Sequence, residues 1–123
     1  MTGLRVAERL GRLFDDAPRV TCAPKDRLVI FSDLHIGDGS SRDEFRHNAT
    51  LVYSALATHY RPRGFKLVLN GDIEDLYKFP LKAVQEGNRR IFDLFGDFQR
   101  GPGLFKIAGN HDLDLTTRNG ALM

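Results

Sequence analysis

An α/β fold with a parallel sheet, built as βαβαβ, is the class this sequence predicts, and three observations carry it. Three short apolar runs, at 28–31, 65–69 and 104–108, each give way at once to polar residues and glycine. The segments between them place apolar residues at helical spacing. Each run is followed by a loop bearing a carboxylate or an imidazole. Strands alternating with helices call for right-handed crossovers and strands that all point the same way.

The elements follow in order. Residues 3–16, "GLRVAERLGRLFDD", put Val6, Leu10, Leu13 and Phe14 on one helical face, with Arg5, Arg9 and Arg12 elsewhere. A basic amphipathic helix can lie on a membrane surface. Glu8, Asp15 and Asp16 argue instead for a helix packed on its own domain. Residues 17–26 carry two prolines and read as a connector. Leu28–Phe31, "LVIF", is a continuous apolar run, as expected of a strand buried on both faces. "SRDE" then has the form of a capping box with Ser41 as N-cap and Glu44 reaching back. Phe45, Ala49, Val52 and Leu56 mark the buried face of the helix it opens, which ends near Tyr60 at "RPRG". The second strand is 65–69. After Pro80, the residues Val84, Ile91, Phe95 and Phe98 mark one further amphipathic helix, closed by "RGPG" before the third strand at 104–108.

With 123 residues the chain has room for one domain. Its content, 41% hydrophobic and 28% charged, is that of a folded chain rather than a disordered or membrane-embedded one. A net charge of +2 leaves no electrostatic footprint for nucleic acid. The single cysteine, Cys22, cannot form an internal disulfide, which suits a reducing cytoplasm. No stretch has the length of a transmembrane span, and the N-terminus has no apolar core of a secretory signal.

Parallel strands end along a single edge, the place where open α/β sheets bind their ligands. The loops that meet there carry Asp33 and His35, then Asp72, then Asn110, His111 and Asp112. Oxygen and imidazole donors without thiolate suit Mn²⁺, Fe or Zn²⁺. Asp33 and His35, two apart after a strand, can face one ion, and the two oxygens of Asp72 can bridge two. A pair of ions roughly 3.5–4 Å apart shares a hydroxide and clamps a phosphoryl group for in-line displacement. Gly71 and Gly109 allow tight exits from their strands and close approach of a ligand. The bland alternative, that Asp33, Asp72 and Asp112 merely cap strand ends, would have to hold three times at one edge.

The motifs "DLH", "NGD" and "GNHD", in this order and each after an apolar strand, resemble those of the calcineurin-like metallophosphoesterases over about residues 28 to 115. The resemblance implies a fold of two packed sheets flanked by helices, of which this chain would be the βαβαβ half. It implies that Asp33 and His35 bind the first of two divalent ions, Mn²⁺ foremost, that Asp72 bridges them, and that Asn110 binds the second. His111 would stabilise the transition state or protonate the leaving oxygen, with Asp112 orienting it and raising its pKa. The implied reaction is hydrolysis of a phosphomonoester, phosphodiester or pyrophosphate bond.

Members of that family also supply a histidine after the third motif and a later "GHxH", and neither occurs here. His47 and His59, on the first crossover helix, do not reproduce them: His59 continues the buried face and His47 points to solvent. The expectation is therefore an N-terminal portion of a longer enzyme, its second ion weakly held and one sheet surface left for the missing half or a partner chain to cover. A non-catalytic metal-binding fragment is the alternative. "GDIED" lacks the Asp-Arg-Gly continuation of the Ser/Thr protein phosphatases. "FSDLHIGDG" and "GDIEDLYKF" look more like the UDP-diacylglucosamine pyrophosphatase-like branch, and the D-x-H-x-G start is also similar to that of the DNA-repair nuclease branch. Glu74 and Asp75 either tune the metals or sit at a helix N-terminus. Tyr77 and Phe79 line a pocket or are buried. Arg42 and Arg46 meet a substrate phosphate or form an exposed helix face.

Overall fold

A computed structural model of the chain describes residues 3–109. Its centre is a three-stranded sheet in the order β1 (Leu28–Phe31), β2 (Lys66–Asn70) and β3 (Leu104–Ile107). Both pairings are parallel, with Val29 opposite Leu67 and Leu67 opposite Leu104. The mixed α/β class and the parallel order expected from the alternation are both present.

Helix α1 (Gly3–Asp16) precedes the sheet. The first crossover is a composite helix: a 3₁₀ turn (Glu44–His47), α2 (Ala49–Ser54) and a π-helical continuation (Ala55–Tyr60). The second crossover is two helices, α3 (Leu81–Gly87) and α4 (Arg89–Arg100), where the spacing predicted one. The break at Asn88 has a tertiary cause. A Cβ on Gly87 would collide with the backbone of Asp38, so only glycine lets the chain pass there. The Asn88 side-chain amide then donates to the Gly37 carbonyl at 2.7 Å. The interruption thus docks the second crossover onto the loop that follows β1.

The core lies between one sheet face and these helices: Val29, Leu67 and Leu69 meet Phe45, Leu56, Val84, Ile91, Phe95 and Phe98, all buried. The marked apolar positions do face inward in both crossovers. Strand β1, however, is not buried on both faces. Val29 is buried whereas Ile30 is 60% exposed, and Ile107 on β3 is also exposed. The apolar run reflects what the sheet is able to bury, and only one face is covered by the crossover helices.

Helix α1 departs from the expectation in the same way. Val6, Leu10, Leu13 and Phe14 are all exposed, so among the described residues its apolar stripe is not packed into the core. Periodicity specifies a helix and a face, and says nothing of the partner. The connector regains order at Asp26, whose carboxylate accepts from the Ala23 amide at 2.8 Å and pairs with Lys66 at 3.2 Å. Those bonds, the Ala23 amide first, hold the Asp26 carboxyl below its usual pKa. Among the described residues no helix is long and apolar enough to cross a membrane.

Candidate metal centre

Beyond the ends of β1 and β2 the two chains stay zipped together. The Asp33 amide donates to the Gly71 carbonyl (3.1 Å), that of His35 to Asp72 (3.0 Å) and that of Ile36 to Ile73 (2.7 Å), and the Asp75 amide returns to Ile36 (2.9 Å). Ile36 and Glu74 form a parallel bridge. Two loops that would otherwise splay are therefore locked in register, and their side chains are carried to one place.

Three residues in these loops take an unusual backbone. Asp33 (φ 56°), His35 (φ 50°) and Asp72 (φ 54°) are the non-glycine residues with positive φ among those described. The left-handed region costs an L-residue about 1–2 kcal/mol, and it persists only where the surroundings impose it. Here the cross-loop hydrogen bonds impose it. The consequence is convergence: one donor atom from each of Asp33, His35 and Asp72 lies within 4.8 Å of the others. The His35 Nε2 stands 3.7 Å from Asp33 Oδ1. Asp33 is exposed, while His35 and Asp72 are half-buried.

Two carboxylates and an imidazole fit a divalent cation by donor type. They also fit by reach. Bonds of about 2.1 Å place donors on one ion at most about 4.2 Å apart, so the trio needs to close by only a fraction of an ångström. The third loop arrives at the same point. A Cβ on Gly109 would collide with the Asp72 carboxylate and amide, so the strand-β3 exit passes directly against that side chain. Asn110, His111 and Asp112 follow it in the chain and lie outside the described residues.

The loop after β1 is held from below by a residue for which the sequence offers a misleading neighbour. Asp43, not Ser41, is the N-cap of the 3₁₀ turn, accepting from the Phe45 amide at 2.9 Å. The same buried carboxylate accepts from the amides of Gly37 (3.1 Å) and Gly39 (2.8 Å). Three backbone donors on one side chain fold the glycine-rich loop around it. The capping-box spacing pointed two residues too early because it weighs only local partners, whereas Asp43 is selected by donors four and six residues upstream.

Glu74 and Asp75 are not at a helix N-terminus, since α3 begins only at Leu81. Glu74 is fully buried and pairs with Lys106 of β3, tying the second loop to the third strand. The Asp75 side chain borders a cavity of about 400 Å³ shared with Asp33 and His35. Phe79 is buried beneath the Arg42 guanidinium, 5.7 Å from its ring centre, and Tyr77 is exposed. Arg42 and Arg46 are exposed and do not border that cavity. His47 is exposed as expected. His59 is exposed too, its ring lying against Tyr60 and Phe65 rather than inside the core.

Comparison with protein-family models, with curated proteins and with solved structures found no match to this chain.

Proposed function

We propose that the chain carries the metal-binding edge of a metallophosphoesterase, with Asp33, His35 and Asp72 holding a divalent cation against which a phosphoester is hydrolysed. One observation carries this reading: Asp33, His35 and Asp72, the residues named from the motifs that fall among those described, are the ones in left-handed backbone, with their donor atoms gathered within 4.8 Å. Mn²⁺, Fe or Zn²⁺ bound there supplies Lewis acidity toward a phosphoryl oxygen and lowers the pKa of water at the site. Asp33 and His35 fix the cation from one loop and Asp72 from the other, and the zipped backbone keeps the two from separating. Gly109 leaves room beside the Asp72 carboxylate. In this reading Asn110 adds a carbonyl oxygen for a second ion, His111 delivers a proton to the leaving oxygen, and Asp112 orients that imidazole. The two-sheet fold of that family, with this sheet as one half, belongs to the same proposal.

Hydrolysis of bis(p-nitrophenyl) phosphate with Mn²⁺ tests it. Turnover that requires the metal and falls at least a hundredfold in Asp72→Asn is the expected result; metal-independent turnover, or turnover indifferent to the substitution, contradicts it. A second reading, a cation-binding module without catalysis, is favoured by the single three-donor cluster among the described residues. Stoichiometric Mn²⁺ binding with no turnover would select it.

A further inference from the structure

The cavity beside the cation site contains two hydrogen-bond-donating side chains, Asn48 and Lys78, that the proposed hydrolysis does not use. It measures about 400 Å³, within the range of small-molecule pockets and larger than a phosphoryl group needs. Asp33 and His35 border it, together with Glu44, Asn48, Asp75 and Lys78.

Lys78 is the one lysine or arginine in that lining. Its amide closes a turn onto the Asp75 carbonyl at 3.3 Å, which places the residue just beyond the second loop. Its ammonium forms no ion pair with a described residue, although the carboxylates of Asp33, Glu44 and Asp75 share the cavity. Asn48 occupies the junction between the 3₁₀ turn and α2, where an asparagine side chain ordinarily caps the helix. With φ −112° and ψ −2° it is turned away from that role and makes no side-chain cap bond. An ammonium and an amide thus remain available in a cavity that opens on the cation donors.

We infer that Lys78 and Asn48 recognise a second anionic group on the substrate, so that the preferred phosphoester is one whose leaving group carries a further phosphate or a carboxylate. This rests on the cation-site reading above. With the scissile phosphoryl at Asp33, His35 and Asp72, the leaving group projects into the cavity. A charge-assisted bond from Lys78 holds an anion there, and the Asn48 amide adds a directional donor. Glu44 and Asp75 leave the rest of the lining negative, so an anion gains only by contact with Lys78. Lys78 is a specificity-determining residue in this account, with no part in bond breaking.

The test is calorimetric binding to the Mn²⁺-loaded chain of three phosphonates: propylphosphonate, 3-phosphonopropionate and propane-1,3-diphosphonate. At least one of the two ligands with a second anion should bind about tenfold more tightly than propylphosphonate. The tighter of the two identifies the second group as carboxylate or phosphate. Lys78→Gln should remove that preference while Mn²⁺ affinity and propylphosphonate binding are kept, Lys78→Arg should retain most of it, and Asn48→Ala should lose a smaller part. No preference in the wild-type chain, or one that survives Lys78→Gln, overturns the inference and leaves the cation site standing. Failure of the wild-type chain to bind Mn²⁺ or propylphosphonate removes the cation-site reading itself, and this inference with it.

Discussion

The strand-end loops and helix α1 are opposites in how conformation and burial are matched. In α1 the backbone is relaxed, the residues favour a helix, and the apolar side stays largely uncovered by the described residues: Leu13 and Phe14 are 66% and 71% exposed. At the strand ends the backbone is strained at Asp33, His35 and Asp72, and the surroundings determine it many times over through cross-loop hydrogen bonds and the Asp43 carboxylate. Local preference alone is enough to draw the first region. The second opposes local preference, and such opposition is sustained only where the rest of the fold supports it.

Substitutions chosen to break this contrast should rank accordingly. The largest loss is expected beneath the site, where Phe98 is completely buried between α4 and the sheet. Phe98→Ala should destabilise the chain by about 3–5 kcal/mol, read from urea unfolding. Next comes Asp43→Ala, which leaves the amides of Gly37, Gly39 and Phe45 without their acceptor. A loss of about 2–4 kcal/mol is expected, together with faster amide exchange across residues 37–45. A loss below about 0.5 kcal/mol would mean that the loop is not organised by that carboxylate.

The third substitution changes sign. Asparagine tolerates left-handed backbone better than histidine does, so His35→Asn should raise the stability of the metal-free chain by about 0.5–1 kcal/mol. The same change should weaken Mn²⁺ binding at least tenfold. Stability gained with cation affinity lost is the signature of strain kept for a site, and a variant that loses both would show that the backbone there is not strained. Smallest of all is Phe14→Ala in α1, expected within about 0.5 kcal/mol. A loss above 2 kcal/mol would place α1 in contact with the body of the domain.

Much of this architecture is readable in the residues. "LVIF" marks β1 at Leu28–Phe31, and the other two strands lie within one residue of the apolar runs. Once three strands run parallel, their following residues must share an edge, so Asp33, His35 and Asp72 could be brought together on paper from spacing alone. What escaped the reading depends on distant partners. The Lys106–Glu74 pair joins residues 32 positions apart, one on β3 and one on the loop after β2, and has no local pattern. Asn88 breaks the second crossover because Asp38 presses against Gly87, a contact visible only after the crossover is folded. Lys78 and Asn48 look like ordinary surface residues until the cavity that they line is drawn. The stripes of α1 and α4 are indistinguishable in kind, yet Ile91, Leu94, Phe95 and Phe98 are buried and Val6 and Leu10 are not. Only tertiary context separates them.

Titration of the metal-free chain with Mn²⁺, followed by electron paramagnetic resonance, examines the trio most directly. The wild-type chain should sequester at least one Mn²⁺ per molecule, and Asp33→Asn and Asp72→Asn should each weaken that binding by at least a hundredfold while the chain stays folded. Mn²⁺ binding that persists undiminished in both variants would contradict a cation site built from Asp33, His35 and Asp72.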